Sequence, residues 1–224
     1  MLGLEPTPLD VRLVAFRIPI RVHPSFWIAG AVMSWNSDHL DRVFIWVMCL
    51  FVSIVVHELG HALVAEAFGW ASEIVLYWMG GLAMSQRYHN RTPWREIAVS
   101  LAGPFAGFGL YGLVLLVEIF WLNGRELTVH DNVLRIFAYL EFINLSWGLV
   151  NLLPVLPLDG GQACQSFLVW CRLRDPGRMA AQIGVVVSGL AAFYFFNYWH
   201  SQFAGILFAM LCLQNVVTLQ SPRY

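Results

Sequence analysis

The sequence contains no lysine and few charged residues of any kind. Its thirteen basic residues are all arginines, 12% of the 224 residues are charged, and the formal net charge is -1. The arginines lie mostly between apolar stretches, so the chain has no basic patch with which to bind the phosphates of a nucleic acid. Nucleic acid is therefore excluded as an expected partner.

Cysteine is also scarce, and the four cysteines show no CxxC spacing. Cys49, Cys164, Cys171 and Cys212 fall mostly in apolar surroundings, where a free cysteine behaves as a small hydrophobic residue. We therefore expect no disulfide framework.

What the chain has in abundance is apolar sequence: 58% of its residues are hydrophobic and the mean hydropathy is +0.64. These values predict an all-α polytopic membrane protein, with one membrane-embedded core over residues 1–224. About 20 apolar residues cross the hydrocarbon as a helix. The apolar runs predict about six spans, of which the first is doubtful because its apolar part is short: 24–36, 43–69, 97–122, 133–153, 179–199 and 203–219.

One connection between spans has the composition of strands rather than of helix. Ser72 to Ser85 contains β-branched and aromatic residues, followed by Gly80-Gly81 and a second short apolar stretch. This pattern favours a small membrane-associated β-hairpin. The alternative is a simple connecting loop, and a sharper hypothesis is that the hairpin edge receives an unwound substrate as an added strand.

The motif His57-Glu58-Leu59-Gly60-His61 lies inside an apolar run, where ionisable side chains are costly. Residues four apart share one face of a helix, so His57 and His61 can bind the same zinc ion. Glu58 can reach a water molecule on that metal and act as a general base. The motif therefore predicts a hydrolytic zinc site within the membrane, with a hydrogen-bonded polar cluster as the structural alternative.

A catalytic zinc site typically has three protein ligands, so two histidines leave it incomplete. Asp159 is the best candidate for the third, because it follows the fourth span at the side of the membrane nearer to the histidines. Pro154 and Pro157 should end that span, and Gly160-Gly161 allows tight turns. We expect the Asp159 carboxylate to lie on irregular backbone that lines a polar cavity.

The distribution of arginines predicts the orientation of the chain in the membrane. With six spans both termini share one side, and the positive-inside bias makes that side cytoplasmic. Three arginines fall on the opposite side, namely Arg42, Arg125 and Arg135. Ten fall on the side of the termini: Arg12, Arg17, Arg21, Arg87, Arg91, Arg95, Arg172, Arg174, Arg178 and Arg223.

The HELGH motif together with the downstream Asn151-Leu-Leu-Pro-Val-Leu-Pro-Leu-Asp159-Gly-Gly segment resembles the site-2 protease family of intramembrane zinc metalloproteases. Three shorter segments are also similar to that family: His23-Pro24-Ser25-Phe26, Gly80-Gly81 and Ala102-Gly103-Pro104. The resemblance implies one zinc held by His57, His61 and Asp159, with Glu58 as general base and Asn151 orienting or polarising the scissile carbonyl.

The resemblance also implies a substrate class and a location. Relatives cleave single-span membrane proteins, so we expect such a substrate, with the enzyme in the cell inner (plasma) membrane. The chain shows neither a PDZ nor a CBS domain and looks like a minimal member. The residues alone leave two other functions open: a non-hydrolytic membrane metal-binding or transport protein, and a scaffold without zinc.

Polar and small residues inside the spans have a structural interpretation. Glycines of the third span, at 103, 107, 109 and 112, are typical of close helix packing in membranes. In the fourth span Glu141, Asn144, Gly148 and Asn151 form one stripe, for which interhelical hydrogen bonds are expected at Glu141 and Asn144. His23 is expected to serve packing or the interface rather than catalysis.

Overall fold

The structure is a computed structural model that describes residues 5–34, 39–85, 90–122, 131–199 and 201–220. Within these ranges the chain forms a small sheet and a set of helices. In chain order the elements are β1 (Val11–Ala15), β2 (Ile18–Val22), α1 (Pro24–Met33), α2 (Leu40–Ala67), β3 (Ser72–Tyr77), β4 (Gly80–Ser85), α3 (Pro93–Leu122), α4 (Asp131–Asn151), α5 (Asp159–Trp170), α6 (Pro176–Asn197) and α7 (Gln202–Gln220).

Five described helices, namely α2, α3, α4, α6 and α7, are long and apolar enough to cross a membrane. The chain is an integral membrane protein, and five of the predicted spans are confirmed with ends that differ by a few residues. The predicted span 24–36 is different, because α1 has only 10 residues. At 1.5 Å per residue it is about 15 Å long, half the hydrocarbon thickness. Residues 35 and 36 of that prediction lie outside the described residues.

The strands form one four-stranded sheet in the order β1-β2-β3-β4. The pair β3 and β4 is antiparallel, with Tyr77 opposite Gly80, which confirms the predicted hairpin. The pair β1 and β2 forms a second antiparallel hairpin, and β2 joins the first by parallel pairing with β3, Ile20 lying opposite Ile74. The sheet is therefore twice as large as the sequence pattern predicted.

The sheet is held by the apolar face of β2 and β3. Ile18, Ile20 and Val22 alternate along β2 and are buried together with Ile74 and Leu76 of β3. This cluster continues into the apolar side chains of α1 and α2. These alternating residues form a strand with period two that ends just before the helix of the first predicted span.

The segment His23-Pro24-Ser25-Phe26 starts α1. His23 precedes the helix, and its Nδ1 accepts a hydrogen bond from the Ser25 backbone N–H at 3.1 Å. Pro24 occupies the first turn, where its missing N–H costs no hydrogen bond. Phe26 is buried in the cluster beneath the sheet. His23 therefore has a capping role, which the sequence analysis did not predict.

Packing divides the chain into two compact units, residues 1–89 with 102–148 and residues 90–101 with 149–224. The first contains the sheet and α2. The second contains the consecutive helices α6 and α7, which approach closely because the residues between them are small: Ala180, Ala181, Gly184 and Ser188 are buried. A stacked pair, Phe195 and Phe208, lies at 5.4 Å between ring centroids.

Candidate metal centre

His57 and His61 lie one turn apart on α2 and converge on one point. Both are buried, with 3% and 7% of their surface exposed, and their Nε2 atoms are 3.2 Å apart. Two nitrogen ligands bound tetrahedrally to one zinc at about 2.0–2.1 Å would lie about 3.3 Å apart. The pair therefore has the spacing that a shared metal ion requires, and the role of both residues as metal ligands stays a prediction.

Asp159 is the third member of a group of side chains that could hold a metal ion. One donor atom from each of His57, His61 and Asp159 lies within 4.8 Å of the other two. Two imidazoles and a carboxylate are a ligand set that zinc accepts in hydrolytic enzymes. These residues could hold a metal ion and leave a coordination position for a reacting group.

The backbone at Asp159 differs from the prediction, because Asp159 is the first residue of α5 rather than part of an irregular segment. Gly160 and Gly161 make this arrangement fit. A Cβ on Gly160 would overlap the Leu152 carbonyl oxygen, and one on Gly161 would lie 2.5 Å from the Val155 carbonyl carbon. The glycine pair therefore lets the first turn of α5 pack directly against the chain that leads into it.

Glu58 is buried beside the start of β4. Only 5% of its surface is exposed, and a Cβ on Gly81 would overlap its side chain. Tyr77 at the end of β3 is also affected by Glu58. The pKa of the Tyr77 phenol is raised, mainly by burial and secondly by the negative charge of Glu58. The phenol therefore stays protonated at neutral pH. The hairpin turn and the candidate general base thus lie side by side.

Helix α3 approaches the histidines through backbone rather than side chains. A Cβ on Gly103 would overlap His61 Nε2, and one on Gly60 would lie 2.5 Å from the Ala102 carbonyl oxygen. Gly103 thus lies against His61, a candidate ligand, which is a stricter requirement than the predicted helix packing. Gly109 and Gly112 of the same helix have nothing within 4 Å of an added Cβ, so the packing prediction is wrong for them.

Helix α4 supports the site from another side. Asn144 Nδ2 donates to Ser53 Oγ at 2.9 Å, one helical turn before His57, which confirms the interhelical hydrogen bond expected at Asn144. Trp147, which the sequence analysis missed, lies 6.5 Å from His57 between ring centroids. Its ring also packs over Gly80, whose φ of 120° suits glycine. Its position three residues after Asn144 and four before Asn151, on the same helical face as the polar stripe, was the available signal.

Comparison with known protein families shows to which family the chain belongs. The sequence profile of peptidase family M50 matches residues 45–128 and 116–196, which together contain the HELGH motif and the Asp159 segment. The chain belongs to peptidase family M50. The resemblance to site-2 proteases is thereby confirmed.

Individual relatives agree with the M50 assignment. The Synechocystis protein sll0528 is 38% identical over 170 residues, covering 69% of this chain and 42% of its own length. A zinc metalloprotease of Methanocaldococcus jannaschii is 32% identical over 154 residues, covering 67% of this chain and 43% of its own length. The M50 chain thus spans less than half the length of these curated relatives.

The fold is also that of a solved structure. The site-2 protease from Methanocaldococcus jannaschii superposes with a TM-score of 0.64 at 24% sequence identity, covering 96% of this chain and 97% of that one. A match at this identity establishes the fold. It therefore supports the arrangement of long helices and small sheet described above.

Asn151 is the remaining predicted residue of the M50 site. It is the last residue of α4, immediately before the segment that carries Asp159, and only 8% of its surface is exposed. A buried amide at a helix end is suited to donate a hydrogen bond to a substrate oxygen. Its role in the reaction stays a prediction.

Proposed function

We propose that residues 1–224 act as one membrane-embedded core of an intramembrane zinc metalloprotease that hydrolyses peptide bonds of membrane-spanning proteins. The observation that carries this proposal is the convergence of His57, His61 and Asp159, with Glu58 adjacent to the first ligand on α2. A pure binding site has no need for a buried carboxylate next to a ligand. Membership of family M50 and the name of the zinc metalloprotease relative support the same function.

Zinc fits the residues that are present. The two imidazole nitrogens have tetrahedral spacing, and the carboxylate supplies the negative charge that partly neutralises Zn²⁺. When bound, one zinc per chain would supply Lewis acidity, which activates water for attack and polarises the scissile carbonyl. His57, His61 and Asp159 would be its protein ligands.

The remaining chemistry falls to side chains of the M50 chain. Glu58 would accept the proton of the attacking water and then deliver a proton to the leaving amine nitrogen. Its burial excludes bulk water from this proton transfer. Asn151 would donate an amide hydrogen bond to the carbonyl oxygen as negative charge develops on it.

The sheet edge is the proposed binding site for a single-span membrane protein substrate. Strand β4 ends the sheet on the side away from β1, and its second residue, Gly81, lies against Glu58. A substrate helix has its carbonyls in internal hydrogen bonds, so it must open before attack. An opened segment that pairs with β4 would regain backbone hydrogen bonds close to the general base.

The orientation we propose has both termini in the cytoplasm and the protein in the cell inner membrane. Five long helices alone would place the termini on opposite sides. However, β2 pairs in parallel with β3, so the chain that enters α1 and the chain that leaves α2 lie in one sheet. This pairing supports grouping Arg12, Arg17 and Arg21 with the 70–95 connection; Arg87, Arg125 and Arg223 lie outside the described residues.

Removal of metal gives the first test of the function. We expect purified protein to contain about one zinc per chain, to lose cleavage of a membrane peptide after dialysis against a chelator, and to regain it with added zinc. Elemental analysis and a gel-based cleavage assay measure the two quantities in the same sample. Protein that holds stoichiometric zinc but cleaves no tested transmembrane peptide would favour a metal-binding function, and protein without zinc would favour a scaffold.

The orientation can be tested with a native side chain. Cys171 follows α5 directly and is exposed, whereas Cys49 is buried. We expect a membrane-impermeant maleimide to label Cys171 in inverted inner-membrane vesicles and not in intact spheroplasts. The variant Cys171→Ser should remove this labelling. Labelling from the periplasmic face alone would contradict the proposed orientation.

A further inference from the structure

The least expected polar residue of the described lipid-spanning helices is Asn215, five residues before the end of α7. None of its surface is exposed, and an amide buried in a membrane helix is costly unless it is hydrogen-bonded. Its Nδ2 donates to the Leu211 carbonyl oxygen of its own helix at 2.8 Å and to the Leu156 carbonyl oxygen at 2.7 Å. The second bond leaves the helix and reaches the segment that precedes Asp159.

The other carbonyls of this segment are satisfied locally. Val155 O accepts from the Leu158 N–H, Pro157 O accepts from Gln162 Nε2, and Leu158 O accepts from the Gln162 N–H. In contrast, the Leu156 carbonyl oxygen accepts its hydrogen bond from a distant helix, α7. Leu156 lies three residues before Asp159. The Asn215 bond therefore ties the entry of α5 to α7.

The local packing shows that the amide is placed as a donor. A Cβ on Gly184 of α6 would overlap Asn215 Oδ1, so glycine at that position makes room for the side chain. Asn215 Oδ1 has no hydrogen-bond partner among the described residues. Burial of the Oδ1 atom without a hydrogen bond is unfavourable, whereas the Nδ2 hydrogen bond to the Leu156 carbonyl oxygen is favourable. The side chain is therefore oriented to donate rather than to accept.

We propose that Asn215 is a positioning residue that holds the Leu156–Leu158 segment so that Asp159 meets the metal in the geometry that binding requires. This inference rests on the proposed function, since it assigns Asp159 as a ligand. Groups that orient metal ligands typically contribute 10- to 100-fold to metal affinity when they are tested by mutation. Asn215 acts through Leu156 and Asp159 and touches no substrate.

The test compares zinc affinities of folded variants in detergent, measured by competition with a chromophoric chelator. Asn215→Leu keeps the approximate size and removes the donor, and we expect affinity to fall by about 10- to 100-fold. Asn215→Ser should give a similar loss. Its hydroxyl can still bond the Leu211 carbonyl within the helix but is too short to reach Leu156 O.

Asn197→Leu is the matched control. Asn197 Nδ2 donates to the Phe193 carbonyl four residues earlier, as Asn215 does to Leu211, but its side chain is exposed. Its zinc affinity should equal that of the unmodified protein. Thermal unfolding of the metal-free proteins reports any purely structural effect separately from affinity.

A folded Asn215→Leu or Asn215→Ser protein with unchanged zinc affinity would overturn the proposal. Failure of both variants to fold would also count against it, because the role of Asn215 would then be structural. Failure of the proposed function looks different: the unmodified protein would bind zinc without cleaving peptide, while the affinity comparison would still be measurable.

Discussion

Replacement of Glu58 by glutamine is expected to lower the rate of peptide hydrolysis by about 10²- to 10⁴-fold, the usual contribution of a general base. The change removes the proton acceptor but keeps the size and polarity of a side chain that is buried beside Gly81. Zinc content should stay at the unmodified level, because the ligand positions His57, His61 and Asp159 are untouched. Elemental analysis and single-turnover cleavage of a transmembrane peptide measure the two effects.

Glu66→Gln provides the control on the same helix. Glu66 is exposed, and its Oε1 accepts a hydrogen bond from the Ser72 backbone N–H at 3.0 Å, which a glutamine oxygen can also do. That variant should cleave at the unmodified rate. If Glu58→Gln cleaved as fast as Glu66→Gln, the role of Glu58 as general base would be wrong.

Gly103→Ala is expected to disable the site through a residue that binds neither metal nor substrate. The added methyl group would overlap His61 Nε2, so the imidazole or the helix backbone must move. Displacement of a catalytic group by about 1 Å can cost about 10²-fold in rate. We expect a loss of that size in cleavage together with weaker zinc binding, measured by chelator competition.

Gly112→Ala controls for the substitution itself. Gly112 lies on the same helix, and an added Cβ there meets nothing within 4 Å. Alanine also favours helix over glycine, so this variant should be as active as the unmodified protein and at least as stable. If Gly103→Ala had normal zinc affinity and cleavage, α3 would be able to shift away from His61 at no cost. Glycine at position 103 would then not be required for the site.

The long helices and the shared helical face of His57 and His61 could be predicted because their signals are local. A run of apolar residues that is long enough to cross the hydrocarbon as a helix predicts a span, whatever the rest of the fold is. Likewise, His57 and His61 share a helical face by their spacing alone. Asp159 needed one further step, the placement of span ends on sides of the membrane.

The parts that could not be predicted depend on contacts distant in sequence. Five-residue strands such as β2 are too short to distinguish from the end of an apolar helix, and only pairing with β3 defines them. The start of α5 was hidden because Gly160-Gly161 is typical of a loop, whereas here it permits close backbone contact. Gly81 and Gly103 are important because they lie against Glu58 and His61 of α2, contacts that their own segments do not reveal.

Two proposed ligands and the proposed base lie within about one turn of α2, which has a consequence for biosynthesis. His57, Glu58 and His61 enter the membrane with the first long helix, whereas Asp159 is translated only after α3 and α4. A nascent chain would therefore offer a metal ion only two of the three proposed ligands until α5 emerges from the ribosome. Translation order would thus postpone assembly of the proposed metal site until α1 to α4 have been made.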